Sequence, residues 1–230
     1  MVTALEQHWI DQTALETEKA LKDAEAGHDW WHIQRVWVNA KEILAKETDA
    51  HACTVELAAL LHDIADAKFH DGDEEIGPAR AAAILRQIGV SEPIIESVSH
   101  IIRHVSFKGG HTEKIDASKE LAIVQDADRL DALGAIGIAR AFQYGGYRNR
   151  ELFNPHIPPM MQMDKETYRK NNGPTINHFY EKLLLLKDRM QTSTGKAMAI
   201  ERHLFMKQYL KQFYFEWFGT NPVPELFTFE

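Results

Sequence analysis

The stretch that most constrains the fold is LAALLHD, residues 57–63, in which five apolar residues precede His62 and Asp63. Apolar residues continue this pattern on both sides of the doublet, which predicts a buried helix over residues 55–67. An ionised carboxylate inside a core is very costly unless it gains a partner or a metal ion, or becomes neutral. The fold must therefore bring other polar side chains, or a cation, against this doublet.

Other apolar segments with a helical pattern also contain histidine or aspartate residues: His28 with His32, His100 with His104, and Asp126 with Asp128 and Asp131. Polar groups on separate helices can satisfy one another when the helices converge around one centre. Imidazole and carboxylate ligands without thiolate suit Mn, Fe, Ni, Zn or Co, and also Mg where oxygen ligands dominate. The sequence therefore predicts a metal centre built from several helices.

Helical periodicity extends over almost the whole chain. Apolar residues recur every three or four positions in these segments: 3–24, 30–46, 55–67, 78–88, 175–190 and 196–217. No convincing pair of alternating strands is present in the sequence. Residues 149–174 carry four prolines and predict a long irregular loop of the kind that often serves as a lid or binding loop. The pattern indicates an all-α protein.

Composition narrows the class of partner and the compartment. The formal net charge of −8 does not favour duplex nucleic acid or an acidic membrane surface. The one cysteine, Cys53, excludes an intramolecular disulfide and a thiolate zinc site, and favours a reducing compartment. No apolar run reaches 18 residues, so no membrane segment is predicted. We therefore expect a cytoplasmic protein whose anionic ligand is small and locally held.

Five stretches in order carry a family resemblance: GHDWWHIQRVW, LLHDIADAKFHDGDEE, IIRHVSFKGG, DADRLDALGAIGIAR and TINHFYEKLLLLKDRM. A histidine, then a His-Asp doublet, then a distant Asp in an ADRL setting resembles the HD-domain metal-dependent phosphohydrolases. The set is similar to their bacterial single-domain branch, of YedJ and YpgQ type. The resemblance implies an all-α HD-domain helical bundle over 1–230, with an HD core at about 25–135 and additional C-terminal helices within 136–230.

The resemblance also implies one divalent metal ion held by four side chains, which on matching positions are His32, His62, Asp63 and Asp128. Manganese is the favoured ion, with Ni, Fe, Co, Zn and Mg as alternatives. Residues two apart on a helix point to nearly opposite sides, so Asp126 and Asp128 cannot both reach one ion from a helix. The match of the ADRL stretch to the family's motif favours Asp128, and Asp126 stays the alternative ligand.

Catalytic groups are expected close to the ion. The family often carries a carboxylate three residues after the doublet, which makes Asp66 the candidate to orient or deprotonate water; the alternative is a surface carboxylate. Lys68 and His104 are candidates to supply charge and a proton to the phosphate and the leaving group. His100 and His104, one turn apart, keep open a second metal site.

A further set of residues is predicted to contact substrate: Lys108, Asp131, Arg140, Tyr147, Arg148, His178 and Lys182. Asp131 shares a helical face with Asp128 and could instead support the ligands from behind. Tyr147 and Arg148 follow the glycine pair of YGGYR, a stretch predicted as a flexible loop whose amides approach phosphate or as a simple turn.

These features together predict a phosphohydrolase acting on a small phosphorylated metabolite, in which metal-activated water attacks phosphorus. The nearest family members imply a nucleotide substrate and nucleoside triphosphate pyrophosphohydrolysis, which releases a monophosphate and pyrophosphate. A nucleoside monophosphate phosphatase is the enzymatic alternative, and a catalytically inactive nucleotide or metal sensor is the alternative from another class. The aromatic C-terminal helices suit either a homodimer surface or core packing.

Overall fold

Helices account for every regular element in the residues that the computed structural model describes, which are 2–22, 29–65, 75–105, 118–161, 163–164, 167, 170–220, 222–224 and 227. In chain order they are α1 (Ala4–Ala20), α2 (Trp30–Leu44), α3 (Ala52–Leu61), α4 (Ile76–Ile88), α5 (Glu92–Val105), α6 (Lys119–Asp131), α7 (Gly134–Tyr147), α8 (Asn177–Glu181), a 3₁₀ helix (Leu183–Arg189) and α9 (Ser193–Phe218). The prediction of an all-α fold is confirmed.

The chain folds as two compact units, Met1–Asp128 and Arg129–Glu230. The core of the first unit is α3, in which every residue from Cys53 to Leu61 is buried. Helices α1, α2 and α5 pack against it, and α4 packs on α5 and α1. A helix that is apolar on all sides has no face for water, so the LAALL stretch can only lie at the centre. The single-domain organisation over 1–230 stays a prediction.

Helix α3 is shorter than its sequence predicts, because it ends at Leu61 and leaves His62 and Asp63 in the turn that follows. The side chain of His62 bonds to the carbonyl of Ala59 through Nδ1 at 2.8 Å. The amide of Ile64 donates to the Leu61 carbonyl at 3.1 Å. In a longer helix, the carbonyls of Ala59 and Leu61 would accept hydrogen bonds from amides four residues further on. Here the two bonds described above satisfy them instead.

The second unit holds α7, α8, the 3₁₀ helix and α9. Helix α9 packs on α7 and on the 3₁₀ helix, which also contacts α8. At its centre the Phe153 ring lies 5.0 to 6.0 Å from five other aromatic rings: Phe213, Tyr214, Trp217, Phe218 and Phe227. The aromatic residues of the C-terminal helix therefore supply the core of this unit.

The prediction of one long helix over residues 175–190 is wrong. Lys182 has φ −143° and ψ −57°, outside the helical region, and it separates α8 from the 3₁₀ helix. In a 3₁₀ helix residues three apart share a face, and Leu183 and Leu186 are the two that are buried. The run of four leucines therefore uses a period of three to reach the core.

None of the helices in the described ranges combines the length and the apolar character that crossing a lipid bilayer requires.

Candidate metal centre

The His62-Asp63 doublet meets His32, which lies in the first turn of α2. The Nε2 atoms of His32 and His62 are 3.2 Å apart. Asp63 Oδ2 lies 3.6 Å from the first Nε2 atom and 3.8 Å from the second. One ligand atom from each of these three residues lies within 4.8 Å of the other two, and both histidines are buried. The doublet thus has partners in the core.

Asp128, near the end of α6, brings a second carboxylate to the same two imidazoles. Its Oδ1 atom is 3.6 Å from His32 Nε2 and 3.8 Å from His62 Nε2. Ligand atoms that bind one ion at about 2.1 Å are separated by roughly 3.0 to 3.5 Å. The separations of 3.2 to 3.8 Å that involve the two imidazole nitrogens are close to that range. The three residues whose ligand atoms all lie within 4.8 Å of one another are His32, His62 and Asp63, and binding of the same cation by Asp128 stays a prediction.

The hydrogen bond from His62 assigns its tautomer. Nδ1 carries the proton and donates to the Ala59 carbonyl at 2.8 Å, which leaves a lone pair on Nε2. This Nε2 atom lies 3.2 Å from His32 Nε2 and 3.8 Å from one oxygen each of Asp63 and Asp128. A backbone carbonyl on the far nitrogen is the usual support of a metal-binding imidazole. The donor set therefore suits a divalent cation.

Two local contacts position the helices that carry these side chains. The Asp29 carboxylate accepts the backbone N–H of His32 at 2.9 Å and caps the first turn of α2. Asn39, which is buried, donates through Nδ2 to the carbonyl of Ala127 at 3.1 Å, one residue before Asp128. Asn39 was not among the predicted residues. Its signal in the sequence is a polar residue seven positions after His32, on the same helical face.

The alternative ligand Asp126 is fully buried on the same helix. The contacts with the two imidazoles described above belong to Asp128, which is partly exposed. Asp128 therefore stays the predicted ligand.

Three predicted residues, Asp66, Lys68 and Lys108, lie outside the described residues, as does His28. His104 is in the last turn of α5, where its Nδ1 donates to the His100 carbonyl at 2.8 Å. The two imidazole rings lie 4.4 Å apart. Burial lowers the pKa of His100, and the neighbouring His104 and Arg103 lower it further. Gln125 of α6 donates to the His104 carbonyl at 2.7 Å, which holds the end of α5.

Two predicted substrate contacts of the second unit, Asp131 and Arg140, form an ion pair with each other. Asp131 is only 1% exposed, so its charge depends on that guanidinium. Their role in binding substrate stays a prediction.

The YGGYR stretch is neither a flexible loop nor a simple turn, because α7 continues through both glycines to Tyr147. A Cβ on Gly145 would lie 2.1 Å from Thr175 Oγ1, so the first glycine permits close packing rather than phosphate approach. Tyr147 is 74% exposed and Arg148 is also exposed. These two remain accessible for the predicted contact with substrate.

His178 and Lys182 lie on α8 and at its C-terminal end, one turn apart. Burial lowers the pKa of His178 to about 3, and the positive charges of Lys182 and Arg150 contribute to the shift. Arg150 was not among the predicted residues, because nothing in the sequence around it distinguishes it from an ordinary loop arginine.

Comparison with known proteins gives consistent matches. The family model described as HD domain matches residues 30–133. An uncharacterised protein, YpgQ of Bacillus subtilis, is 39% identical over 196 residues, which are 85% of this chain and 87% of YpgQ.

Solved structures match over almost the full length. An HD-superfamily hydrolase from Bacillus thuringiensis has a TM-score of 0.75 at 40% identity, covering 94% of this chain and 100% of that one. The structure of Bacillus subtilis YpgQ in complex with ADP has a TM-score of 0.73 at 35% identity, covering 92% and 96% of the two chains.

Proposed function

Since this chain belongs to the HD domain family and is an HD-type metal-dependent phosphohydrolase, we propose that it hydrolyses nucleoside triphosphates to monophosphates and pyrophosphate. The observation that carries the proposal is the 3.2 Å approach of His32 Nε2 and His62 Nε2 between two carboxylates. Two ring nitrogens at this distance either share a proton in a hydrogen bond or direct their lone pairs at a common cation, and the carboxylates beside them favour the cation.

The proposed ligands are His32, His62, Asp63 and Asp128, and manganese is the favoured ion. A divalent ion held by these residues would lower the pKa of its bound water and neutralise charge on a phosphoryl oxygen. The chain supplies the geometry. The hydrogen bond between His62 and the Ala59 carbonyl keeps the proton on Nδ1 and fixes the direction of the Nε2 lone pair.

Hydrolysis at the α-phosphorus forms one bond between water oxygen and phosphorus and breaks the bond to the bridging oxygen of the β-phosphate. The electron pair of the broken bond leaves with pyrophosphate, and the water gives up a proton. Asp66 is the proposed acceptor or positioner for that water. His104, whose protonated Nδ1 bonds to its own helix, offers Nε2 for proton exchange with the leaving group.

The nucleotide part of the proposal is supported by the complex of Bacillus subtilis YpgQ with ADP. A protein 35% identical over 92% of this chain accommodates an adenine nucleotide, and the same fold is expected to present a similar cavity here. Lys68, Lys108, Tyr147 and Arg148 stay the proposed contacts for its phosphates and sugar.

We place the enzyme in the cytoplasm, where thiols stay reduced. Burial raises the pKa of Cys53 to about 12, so its thiol is unreactive at neutral pH. A homodimer formed through the C-terminal helices stays a prediction. Helix α9 has exposed apolar side chains that could serve it: Ile200, Leu204, Phe205 and Phe215.

The experiment is a turnover assay of the purified protein against a panel of nucleoside mono-, di- and triphosphates, with Mn, Mg, Co, Ni or Zn added. Phosphate is measured with malachite green before and after treatment with pyrophosphatase. Colour that develops from triphosphates only after pyrophosphatase supports the proposal. Colour that develops directly from monophosphates supports a phosphatase instead, and no turnover in any metal supports a sensor.

A matched pair of variants ties the turnover to the centre. Asp63→Asn removes one carboxylate charge from the cluster, and we expect turnover to be lost. Asp11→Asn makes the same chemical change on the exposed face of α1, where the carboxylate contacts only Gln7 in the described residues. It should leave turnover unchanged.

A further inference from the structure

We propose that Gly77 and Arg80, at the start of α4, are positioning residues that hold the turn of the His62-Asp63 doublet in its metal-binding geometry. Both act through the backbone that directly follows Asp63. The inference rests on the proposed function for the metal centre, and it assigns a task in metal binding to a helix that supplies none of the proposed ligands.

The doublet lies outside regular secondary structure, so its direction depends on the turn that contains it. Helix α3 ends at Leu61, and residues 62–65 follow in that turn. The bond of His62 to the Ala59 carbonyl fixes the imidazole from the side of α3. Asp63 lies further from the helix, where the backbone has left the regular pattern of hydrogen bonds. The carbonyls beyond it therefore need donors or packing partners from another element.

Arg80 supplies a donor to the residue directly after Asp63. Its Nη1 atom donates to the carbonyl of Ile64 at 3.2 Å. Ile64 is buried, whereas the arginine reaches it from the exposed side of α4. A guanidinium presents its N–H groups in a rigid plane, and a charged donor forms a stronger bond than a neutral one. This bond therefore restrains both the position and the direction of the carbonyl.

Gly77 lies against the next carbonyl of the same turn. A Cβ at residue 77 would be 3.2 Å from the carbonyl oxygen of Ala65, closer than a side-chain carbon normally approaches. The missing side chain thus lets the backbone of α4 pack directly on the turn. Gly77 and Arg80 are three residues apart and share a face of the helix. One face of α4 therefore supports two consecutive carbonyls after the doublet.

Helix α4 is itself anchored without help from the metal centre. Arg103 of α5 donates through Nε and Nη2 to the two carboxylate oxygens of Glu75, the residue before α4, and both distances are 2.7 Å. The helix also packs on α5 and α1. A support that is fixed before the ion arrives keeps its ligands preorganised. The turn of the doublet can therefore be held in place in the metal-free protein.

The same kind of support occurs at the other proposed carboxylate ligand. Asn39 donates to the carbonyl one residue before Asp128, and Arg80 donates to the carbonyl one residue after Asp63. An aspartate has a short side chain, so a shift of its backbone moves its carboxylate oxygens with it. Each of the two carboxylates thus lies next to a carbonyl that a side chain from another helix restrains.

The test measures the Kd of Mn²⁺ by isothermal titration calorimetry for the full-length wild type, Arg80→Gln and Gly77→Ala. Glutamine ends two atoms before the position of Nη1 and does not reach the Ile64 carbonyl. The alanine methyl presses on the Ala65 carbonyl. We expect each variant to bind Mn²⁺ about 10-fold more weakly, the lower end of the loss found when a group that orients a ligand is removed.

Arg86→Gln is the matched control. It makes the same chemical change on the same helix, where the guanidinium binds both carboxylate oxygens of Glu92 at 2.7 and 3.0 Å in an exposed ion pair. It should bind Mn²⁺ as the wild type does.

Two further readouts separate positioning from a purely structural role. The visible absorption of bound Co²⁺ depends on the geometry of the ligands, so it should change in Arg80→Gln and Gly77→Ala but not in Arg86→Gln. In the turnover assay with saturating metal, kcat should fall while the KM for the nucleotide stays the same. Circular dichroism of the metal-free proteins checks folding. If Arg80→Gln does not fold, Arg80→Lys takes its place, because lysine ends one atom before the position of Nη1.

Wild-type Mn²⁺ affinity in a folded variant overturns the role of the residue that it replaces. A raised KM with an unchanged Kd for Mn²⁺ also overturns it, because Arg80 would then contact the substrate directly. If the wild type binds Mn²⁺ but hydrolyses no nucleotide, only the proposed reaction fails, and the Kd values still decide on Gly77 and Arg80. If the wild type binds no Mn²⁺, the proposed centre fails and this inference fails with it.

Discussion

Replacing Asn39 by Leu tests whether the second helix positions the proposed metal ligand of α6. The leucine has a similar volume but cannot donate to the Ala127 carbonyl, which now receives the Nδ2 hydrogen bond at 3.1 Å. Asn39 is buried, so water does not replace the lost donor. The Ala127 carbonyl keeps its partner within α6, so the change removes one buried hydrogen bond, which costs about 0.5 to 1.5 kcal/mol of folding free energy. For a chain of this size that corresponds to a fall in Tm of roughly 1 to 6 °C.

The same change should weaken metal binding, because the carbonyl lies one residue before Asp128. Loss of a group that orients a ligand typically costs about 10- to 100-fold in metal affinity. With Mn²⁺ at 100 times the wild-type Kd, the ion stabilises the wild type by about 2.7 kcal/mol. A variant that binds tenfold more weakly gains only about 1.4 kcal/mol under the same conditions.

The assay is chemical denaturation of wild type and Asn39→Leu, with and without Mn²⁺, combined with titration calorimetry for the Kd. Ser97→Ala is the control, because it removes a similar side-chain bond to a backbone carbonyl, that of Pro93, at an exposed position. A variant that loses stability but gains as much from Mn²⁺ as the wild type would refute the positioning role. An unchanged free energy of unfolding would contradict the loss of a buried hydrogen bond as well.

Three further tests, with five substitutions, concern the choice of metal ligand on α6, the packing of Gly145 and the ion pair of Asp131. Asp128→Asn should abolish tight Mn²⁺ binding, whereas Asp126→Asn should leave the Kd within about threefold; calorimetry giving the reverse order would make Asp126 the ligand. Gly145→Ala places a Cβ 2.1 Å from Thr175 Oγ1 and should lower stability by about 1 to 3 kcal/mol, and a wild-type Tm would contradict that packing. Asp131→Asn and Arg140→Gln should each destabilise strongly and together cost less than their sum, as a double-mutant cycle measures; additive effects would deny the ion pair.

The sequence predicts the centre of the first unit well, because two strong signals coincide there. An apolar run that is hydrophobic on all sides can only be a buried helix, and α3 is that helix. The polar doublet after it needed partners from elsewhere in the chain. The structure brings His32 and Asp128 to it across large sequence separations.

The sequence predicts less well where contacts between distant segments decide the local backbone. Helix α3 stops at Leu61 because the His62 side chain and a short turn satisfy its last carbonyls. The helix expected over 175–190 breaks at Lys182, where the following leucines reach the core with a period of three. No glycine or proline lies at either of these two helix ends to mark it in the sequence.

Asn39 and Arg150 show why supporting residues are missed. Each contributes through hydrogen bonds to main-chain or side-chain amide groups that are remote in sequence: Ala127 for Asn39, and Asn171 and Asn172 for Arg150. Such bonds carry no spacing rule, because a backbone carbonyl is present at every position. Metal ligands are easier to recognise, since only a few residue types can serve.

The proposed metal centre is tested most directly by the anomalous scattering of manganese in crystals of the protein grown with Mn²⁺. We predict one strong peak within about 2.0 to 2.4 Å of His32 Nε2, His62 Nε2 and one carboxylate oxygen each of Asp63 and Asp128. A peak elsewhere, or one that these four side chains do not share, would contradict the proposed centre and the hydrolysis that depends on it.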